Sequence, residues 1–407
     1  MRILFFTENI HRGGLDSFLV YLINHWPVAE DEIFLLCNAS HPGLDDIKYA
    51  LTRQCVVIPH YIPLYTDLSM KFHKNILFRA LRRFLSPILK YSFLGFYIVR
   101  LRGQLLQNKP NRLFVVNGGH PGGDSCRAAV LSWSLFARRL PKAIYNFHNL
   151  AVAPRWFEKW PERLIDAFVI GQAKAIIGVS QACALSLQTR IDSESMSKIS
   201  WIYNGIPAPS HAQKVNRISL RESLGLPSDA LICLLLATYE VRKGHDFLLK
   251  AFEKVILKVP TARLVICGHG YPEQIEQVRR LVKDYSLSDR VILQNFRRDT
   301  DSLFSGSDLL LVASQSYESF SLTSVEAMAH RLPVVATCVG GVPEVVLDGE
   351  GGFCVDPNNI NGYAARIIEL LGDPDLRMRQ GEAGFLRYKR LFTAERMAKE
   401  YSDMIHM

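Results

Sequence analysis

Short apolar runs alternate with amphipathic segments along the whole chain. Runs of Val, Ile and Leu without polar alternation are typical of strands covered on both faces, as in a parallel sheet between helices. Such runs occur at 3–6, 33–37, 113–116, 143–147 and 175–179, and then at 231–237, 263–267, 291–293, 308–313, 333–336 and 352–355. Helical spacing occurs at 14–25, 245–259, 272–285 and 360–371. The pattern predicts an α/β fold.

A boundary is predicted near the middle of the chain, where Asn204-Gly205 is followed by two prolines and small polar residues. It separates two series of strands, and therefore predicts two Rossmann-like domains, 1–205 and 206–385, with parallel sheets facing across a cleft. A helical segment, 386–407, is expected to pack back on the first domain. Because ligands bind beyond the carboxyl ends of parallel strands, the site is expected in the cleft.

The charge distribution is uneven. Of 407 residues, 48% are hydrophobic and 21% charged, which argues against disorder, collagen, a coiled coil or a small disulfide scaffold. The net charge is +9, and the positive excess lies in the first half. Between Leu68 and Gly123 there are ten Lys and Arg residues and no acid. This predicts an anionic partner, either nucleic acid or a membrane surface.

The eight cysteines form no C-x-x-C pair, and several lie inside apolar runs. They are interpreted as buried hydrophobic residues in a reducing compartment, not as zinc ligands. The apolar stretch within the first ten residues is too short, and charged residues follow it too soon, for a signal peptide. The sequence contains no run of 18 apolar residues. A cytoplasmic location is expected.

Two carboxylates, Glu318 and Glu326, are separated by seven residues after the predicted strand 308–313. The loop between them leads into a helix whose first backbone N–H groups form a natural phosphate cradle. Glu318 could accept hydrogen bonds from sugar hydroxyls, and Glu326 from a ribose diol. The alternative is an ordinary helix acid together with a surface acid.

Two further signals are glycines at strand-to-helix turns. Lys243-Gly244 follows the strand 231–237, where a lysine can reach a diphosphate and Arg242 can assist or face solvent. Gly13-Gly14 follows the first strand and would let backbone approach a phosphate or sugar, although a simple tight turn is equally consistent.

The strand 263–267 is followed by Gly268-His-Gly270, which is not a dinucleotide fingerprint because Glu273 holds the last glycine position. His148 follows the strand 143–147 and is expected to face the cleft, with a structural histidine as the alternative.

Together these residues resemble glycosyltransferase family 4, a retaining family with the two-domain GT-B fold. The resemblance extends from Gly13 to about Leu371. Its landmarks are Glu318–Glu326 as the E-x7-E motif, Asn204-Gly-Ile at the linker, Lys243-Gly-His-Asp-Phe-Leu-Leu and Gly340-Gly-Val-Pro-Glu344.

The resemblance implies a role for each residue. Lys243 would bind the donor diphosphate, Glu318 the donor sugar and Glu326 the ribose. The remaining donor-site residues are Gly13 and Gly14 at the phosphates, the backbone of Phe320, Ser321, Leu322 and Thr323 at sugar and phosphate, Asn295, Phe296 and Arg297 at the base, His148 at the reaction centre, and Thr238, Arg242 and Gly268.

The chain departs from the family pattern at several positions. An Arg is common five or six residues before the Lys, where this chain has Thr238 and Ala237, so Arg242 or another Arg would have to supply the second cation. Ser319 and Ser321 stand where glycines are common, and Asp16 where Glu is frequent.

No metal is expected at the site. Asp299-Thr-Asp301 matches the metal-binding D-x-D of the unrelated GT-A fold, but it precedes Ser302-Leu-Phe and is better explained as a helix N-cap. Lys243 and the helix N-terminus would stabilise the leaving diphosphate instead. A UDP-sugar is the favoured donor, although the sequence itself does not identify the base. The family resemblance favours same-face attack with the leaving phosphate as base.

The segment 71–102 is basic and amphipathic. Its apolar stripe comprises Phe72, Ile76, Leu77, Ala80, Leu81 and Phe84, and Lys74, Arg79, Arg82 and Arg83 lie mostly off it. This composition favours a helix on an anionic membrane. The alternatives are a core helix with a basic outer face and a groove for an acidic acceptor. No nucleic-acid-binding motif accompanies the charge.

The sequence therefore predicts a retaining, hexosyltransferase-type enzyme that uses a nucleotide-diphosphate sugar. The acceptor is expected to be a glycan or lipid-linked sugar in envelope or exopolysaccharide biosynthesis. The alternatives are a non-catalytic, membrane-associated sugar-nucleotide-binding protein and a GT-B phosphorylase or epimerase.

Overall fold

The computed structural model describes residues 1–9, 12–64, 76–192, 194–209 and 217–407, with side chains described in these ranges except at 76–88 and 217–219. Its contacts divide the chain into two compact units. The first comprises 1–203 together with 394–407, and the second comprises 204–393.

The first unit is built on a seven-stranded parallel sheet. Its strands are β1 Arg2–Thr7, β2 Glu32–Asn38, β3 Cys55–His60, β4 Arg112–Asn117, β5 Ile144–Phe147, β6 Ala175–Gly178 and β7 Ile199–Trp201. They lie in the order β3-β2-β1-β4-β5-β6-β7. In register, Ile3 lies opposite Ile33 on one side and Arg112 on the other. The central strands are fully buried, as the unbroken apolar runs predict.

Helices return the chain between these parallel strands. They are α1 Gly14–Asn24, α2 Leu44–Ala50, α3 Ile76–Gln107, α4 Asp124–Phe136, α5 Lys159–Gln172 and α6 Gln181–Leu185, with 3₁₀ turns at Ser186–Thr189 and Ser195–Lys198. None of the helices in the described part of the chain combines the length and the apolar character that a bilayer crossing requires.

The second unit holds a six-stranded parallel sheet in the order β10-β9-β8-β11-β12-β13. The strands are β8 Leu231–Leu236, β9 Ala262–Cys267, β10 Val291–Gln294, β11 Leu309–Val312, β12 Val334–Thr337 and β13 Gly352–Val355. The helices are α7 Arg217–Ser223, α8 His245–Lys258, α9 Pro272–Asp284, α10 Thr300–Gly306, α11 Leu322–Ala329, α12 Val342–Val345, α13 Ile360–Gly372 and α14 Pro374–Leu391, with a 3₁₀ turn at Val241–Lys243.

The last helix, α15 Ala394–His406, belongs to the first unit. Tyr401 fixes it there, because its fully buried ring lies 5.7 Å from the ring of Phe18 and its hydroxyl accepts a hydrogen bond from Asn146 Nδ2 at 2.8 Å.

The predicted segment 386–407 is therefore divided between the units, and the second unit extends to Thr393 instead of 385. Two contacts keep the end of α14 on the second unit. The Tyr388 hydroxyl donates to the carbonyl oxygen of Ile206 at 3.2 Å, and the ring of Phe392 lies 5.7 Å from that of Phe320.

The predicted α/β architecture with two parallel sheets is confirmed, and every predicted strand overlaps an observed one. The sequence missed β3 and β7, the two edge strands of the first sheet. Most of the β3 side chains are partly or fully exposed, and β7 has only three residues, so neither leaves a long apolar run.

Candidate functional site

In the second unit, the predicted site residues follow the carboxyl ends of strands at one edge of the sheet. Thr238, Arg242 and Lys243 come after β8, Gly268 after β9, Asn295, Phe296 and Arg297 after β10, and Glu318, Phe320, Ser321, Leu322, Thr323 and Glu326 after β11. Parallel strands end on the same side, so these four loops share the ligand-binding edge of this sheet.

Lys243 and Glu318 form the centre of this edge. The Lys243 ammonium nitrogen lies 2.5 Å from Glu318 Oε2, and both side chains are largely buried. Ser314, just beyond β11, donates its hydroxyl to the same carboxylate oxygen at 2.9 Å. Lys243 and Glu318, named from separate motifs, thus form one ion pair, and it is held by Ser314, which the sequence analysis missed.

The backbone explains why glycine follows Lys243. Gly244 adopts the left-handed conformation, with φ of 73°, and a Cβ there would lie 1.9 Å from the carbonyl oxygen of Ala313. The Gln315 N–H donates to the carbonyl of Arg242 at 2.8 Å. The loops after β8 and β11 therefore pack backbone against backbone, which brings Lys243 to Glu318.

The Gly340-Gly341 loop after β12 packs against the backbone of Glu318. Gly340 has φ of 56°, and a Cβ there would lie 2.0 Å from the Glu318 carbonyl oxygen. The Gly341 N–H donates to that same oxygen at 2.9 Å. The second glycine motif of the sequence thus positions the backbone of Glu318.

The N-terminus of α11 lies between the two acids. Ser321, the residue before the helix, is left-handed with φ of 79°, and its Oγ lies 2.7 Å from Ser324 Oγ. Among the described residues, no side chain caps this terminus. The N–H groups of Leu322 and Thr323 are the first of the helix, so no intrahelical carbonyl can accept from them. They are oriented to bind an anion.

Glu326 is half-buried in the second turn of α11. Desolvation, with a smaller contribution from the charge of Asp301, raises the pKa of Glu326 to about 7. This carboxyl therefore holds a proton in a substantial fraction of molecules at neutral pH, and a hydrogen-bonding ligand would favour its ionised form.

Arg242 does not stand alone as a second cation. Its Nε lies 2.6 Å from Glu240 Oε2, and the Thr238 hydroxyl donates to the other oxygen of that carboxylate at 2.9 Å. Glu240, which the sequence analysis did not single out, balances the guanidinium charge. Thr238 and Arg242 are therefore joined to each other through a carboxylate.

The loops after β9 and β10 pack closely on that after β8. A Cβ on Gly268 would lie 1.8 Å from the carbonyl oxygen of Ala237, so glycine is required there by the close approach of backbone. The Sγ of Cys267 donates to the Asn295 carbonyl at 3.1 Å. Phe296 leaves 61% of its surface exposed beside this loop, which makes its ring face accessible for stacking.

The D-x-D sequence shows the expected position but not the expected contact. Asp299 precedes α10 as its N-cap residue, yet its side chain makes no capping hydrogen bond. It pairs with Arg297 instead, with Nε and Oδ1 2.9 Å apart, and Asp301 pairs with His330 Nε2 at 3.2 Å. No group of metal-ligating side chains occurs in the described ranges.

In the first unit, Gly13 precedes α1 in an extended conformation, and its N–H donates to Asp16 Oδ2 at 3.2 Å. No described residue has an atom within 4 Å of a Cβ built on Gly13, so the described surroundings do not demand glycine there. Gly14 is the first residue of the helix. Asp16 also contacts His41 Nε2 at 3.1 Å, which ties the start of α1 to the loop after β2.

His148 lies just beyond β5, and its N–H donates to the Asn117 carbonyl at 3.0 Å. Its ring packs edge-on against Phe18, with the centroids 4.3 Å apart. Desolvation lowers the pKa of His148 to about 3, so the imidazole is neutral at physiological pH. A neutral imidazole can exchange hydrogen bonds with hydroxyl groups without placing a charge in the site.

A polar cluster at the ends of β1, β2 and β3 was not predicted. Asn38 Nδ2 donates to Glu8 Oε1 at 2.6 Å, and His60 Nε2 lies 3.4 Å from Glu8 Oε2. The Ile62 N–H donates to His60 Nδ1 at 3.3 Å. Glu8 and Asn38 come at the end of buried apolar runs, and this position in the sequence could have indicated the cluster.

The comparison with protein families locates the match in the second unit. Residues 216–387 match the family described as "Glycosyl transferases group 1". These residues, which lie in the second unit, are similar to the glycosyl transferases of group 1. The predicted resemblance to a glycosyltransferase family is confirmed for this part of the chain.

Curated relatives align over part of their length. The chain is 28% identical over 239 residues to N-acetyl-alpha-D-glucosaminyl L-malate synthase of Bacillus anthracis, covering 59% of this chain and 61% of that protein. It is 31% identical over 243 residues to D-inositol 3-phosphate glycosyltransferase of Xylanimonas cellulosilytica, covering 57% of each. The chain thus spans about three fifths of the length of these relatives.

Solved structures match over nearly the whole chain. A glycosyltransferase from Rickettsia africae superposes with a TM-score of 0.76 at 19% identity, covering 99% of this chain and 97% of that one. HepE of Anabaena, in complex with UDP, gives a TM-score of 0.75 at 18% identity, covering 100% of both. These likenesses confirm the predicted GT-B fold.

Proposed function

We propose that this protein is a retaining, hexosyltransferase-type glycosyltransferase that takes its sugar from a UDP-sugar. The observation that carries the proposal is the Lys243–Glu318 ion pair at the N-terminus of α11. It puts one cation, one carboxylate and a set of free helix N–H groups beyond the carboxyl ends of two neighbouring strands, β8 and β11. A sugar diphosphate needs complementary groups of these kinds.

Lys243 and the α11 N-terminus bind the diphosphate in this proposal. A lysine ammonium has three donors, so Lys243 can keep its bond to Glu318 while donating to phosphate oxygens. The N–H groups of Leu322 and Thr323 add the positive end of the helix dipole. Negative charge develops on the leaving diphosphate as the glycosidic bond breaks, and these groups stabilise it where it forms.

Glu318 binds the sugar hydroxyls. Its carboxylate is oriented by Lys243 and Ser314, and its backbone is fixed by Gly340 and Gly341. A carboxylate held this firmly fixes the sugar so that the acceptor meets the reacting carbon in one orientation. Retention of configuration, with the leaving phosphate as base, is proposed from the family resemblance.

Glu326 binds the ribose diol, and the exposed ring of Phe296 lies beside the base. UDP is proposed because HepE of Anabaena was solved with UDP and with UDP-glucose. The contributions of Gly13, Gly14 and His148 stay predictions from the resemblance, as does independence from metal ions.

The acceptor is proposed to be a glycan or a lipid-linked sugar. One support is the structural likeness to WaaB, described as a lipopolysaccharide outer core galactosyltransferase, with a TM-score of 0.64. A second is the structural likeness to WaaG, described as a glycosyltransferase of lipopolysaccharide biosynthesis, with a TM-score of 0.63.

Thermal unfolding with UDP, GDP, ADP and their glucose and N-acetylglucosamine conjugates, each with and without EDTA, tests the donor site. A ligand at 100 times its dissociation constant adds about 2.7 kcal/mol to the unfolding free energy. We expect UDP compounds to raise Tm equally with and without EDTA, and Lys243→Ala to reduce the shift to half or less. Donor turnover is then followed by UDP release.

Three outcomes would contradict the proposal. A shift abolished by EDTA would contradict metal independence, and stabilisation by GDP or ADP alone would contradict the choice of base. Binding of UDP-sugars with no UDP release, with or without glycan and lipid-linked acceptors, would favour the non-catalytic sugar-nucleotide-binding protein.

A further inference from the structure

Helix α5, Lys159–Gln172, has its acidic side chains on the side that faces the protein interior. Glu162 and Asp166 lie one turn apart and are 1% and 0% exposed. Carboxylates are rarely buried this completely unless they are paired with cations. The inner face of this helix therefore carries acids in its first half and apolar residues, Val169 and Ile170, near its end.

The buried carboxylates are neutralised by cations from the neighbouring segments. Glu162 lies 2.8 Å from Arg127 Nη1, 2.6 Å from Arg190 Nη2 and 2.8 Å from Lys90 Nζ. Asp166 lies 2.8 Å from Arg190 Nε. Burial alone raises the pKa of Glu162, but Arg127 and Lys90 more than offset it and hold that pKa well below its usual range.

The outer face of the same helix is aromatic. Trp160, Leu164 and Phe168 follow one another at intervals of four residues and are 74%, 43% and 62% exposed. Trp156, in the turn before the helix, is 87% exposed. Spacing of this kind puts the three helical residues on one side of the helix. Together with Trp156 they are named here the aromatic face. Large apolar side chains exposed together mark a binding surface.

The exposed charges on α5 and on the turn before it are positive, although the exposed Asp192 lies near one of them, Arg163. Arg155, Lys159 and Arg163 are exposed. Of the acids in residues 151–172, Glu162 and Asp166 are buried, and Glu158 is half-buried 3.9 Å from Lys90 Nζ. The burial of acids thus leaves an outer surface that carries aromatic rings and cations together.

We propose that the aromatic face binds the surface of an anionic lipid bilayer. Tryptophan and phenylalanine partition into the boundary between headgroups and acyl chains, while lysine and arginine bind anionic headgroups. Each basic residue near such a surface contributes about 1 kcal/mol. A second copy of the chain is a poorer occupant, because a two-fold contact through this face would bring the same three cations against each other.

This surface differs from the one predicted at 71–102, of which residues 71–75 lie outside the described residues and 76–88 have no described side chains. The later part of helix α3 adjoins α5 through the contact of Lys90 with Glu162. The proposal goes beyond sugar transfer and does not depend on it, since binding to lipid requires no donor.

The test is sedimentation of the full chain with vesicles of phosphatidylcholine containing 30% phosphatidylglycerol, and with vesicles of phosphatidylcholine alone. We expect binding to the anionic vesicles that weakens at high salt. Trp156→Ser combined with Trp160→Ser should weaken it by more than about tenfold, because two large apolar side chains no longer enter the interface. Arg155→Gln, Lys159→Gln and Arg163→Gln together should weaken it similarly.

Leu257→Ser is the matched control, because Leu257 is a 79% exposed apolar residue on a helix of the second unit. It should bind vesicles like the unmodified protein. All these positions are exposed, so Tm and the UDP-induced shift should be unchanged in every variant. If UDP does not raise the Tm of the unmodified protein, the proposed function is contradicted and the lipid proposal is unaffected.

Several results would overturn the lipid proposal. These are no binding to anionic vesicles, equal binding to neutral ones, or unchanged binding by the double tryptophan variant. Light scattering distinguishes the remaining occupant. A dimer of the unmodified protein that dissociates in the tryptophan variant, without vesicle binding, would assign the face to a second copy of the chain.

Discussion

The Lys243 ammonium and the Glu318 carboxylate lie 2.5 Å apart although 75 positions separate them in the sequence. The contact depends on two loops whose backbones meet, with Gly244 against the carbonyl of Ala313. Each residue therefore holds the charged group of the other in place. Without Lys243 the carboxylate is left largely buried without its partner, and without Glu318 the ammonium group is free to move.

Lys243→Ala is expected to weaken UDP binding by about ten- to a hundredfold, because it removes one charged hydrogen bond to the diphosphate. It should also lower the rate of transfer. Isothermal titration with UDP measures the first effect, and UDP release the second. Lys250→Ala is the control, because Lys250 forms an exposed pair with Asp246 on helix α8. Unchanged UDP affinity in Lys243→Ala would contradict the site.

Glu318→Gln keeps the shape of the side chain but removes its charge. We expect transfer to be nearly abolished while UDP binding changes little, because the carboxylate is proposed to hold the sugar and not the diphosphate. The measurement compares the affinity for UDP with that for UDP-glucose in both proteins. If UDP alone binds much more weakly to Glu318→Gln, the carboxylate acts mainly by orienting Lys243.

Glu326 should make both stability and UDP binding depend on pH. Its pKa in the folded protein is about 7, against 4.5 ordinarily. Between these values the unfolded chain has lost the proton and the folded chain still holds it, so stability falls as pH rises. Glu326→Gln should therefore be more stable than the unmodified protein by about 1–3 kcal/mol at pH 8 and equally stable at pH 4.

The same group gives a signature in ligand binding. If the ionised carboxylate accepts hydrogen bonds from the ribose diol, UDP affinity rises as pH increases through 7. Glu326→Gln lacks this rise and controls for the titration of UDP itself. A parallel pH dependence in the two proteins would show that Glu326 does not contact the ribose.

Much of this site could be predicted because buried strands leave long apolar runs, and the first polar residues after such runs lie at the ligand edge of a parallel sheet. Lys243 and Glu318 follow two such runs, and they were singled out because a glycine follows Lys243 and because seven residues separate Glu318 from Glu326. Glu240 was not, because nothing in the sequence shows that it turns toward Arg242 and balances its charge. Pairing between neighbouring loops is set by backbone packing, which composition does not reveal.

The orientation of helix α5 shows a second limit. A helix that carries Trp160, Glu162, Leu164 and Asp166 is expected to bury its apolar side chains. The structure buries both acids together with Val169 and Ile170. Trp160 and Leu164 stay exposed, because Arg127 and Arg190 contact the acids from distant positions in the sequence. An amphipathic pattern tells which residues share a face, but only the partners decide which face is inside.

Removal of one cation from this buried cluster should be costly. Arg127→Leu leaves Glu162 and Asp166 with fewer partners and is expected to lower the unfolding free energy by about 3–5 kcal/mol at pH 7. The exposed pair of Arg279 with Glu276 provides the control, and Arg279→Leu should change stability by less than about 1 kcal/mol. Urea unfolding measures both.

The decrease in unfolding free energy caused by Arg127→Leu should be smaller at acidic pH. The pKa values of Glu162 and Asp166 are held below their usual range in the folded protein, so the cluster stabilises the fold above pH 4.5 and progressively less as pH falls below it. A difference between the two proteins that stays constant from pH 7 to pH 3 would mean that lost packing, not lost charge pairing, causes the destabilisation.

Gly340→Ala tests whether backbone packing positions Glu318. The added Cβ would lie 2.0 Å from the Glu318 carbonyl oxygen, so one of the two loops must move. Gly349→Ala is a matched control, because Gly349 also has positive φ, 80°, but no atom lies within 4 Å of its Cβ. Both variants bear the strain of a left-handed alanine, about 1–2 kcal/mol, and only Gly340→Ala displaces Glu318.

We expect Gly340→Ala to lose most of its transfer activity and Gly349→Ala to retain it. Equal activity in the two variants would mean that the Gly340 contact does not set the position of the carboxylate.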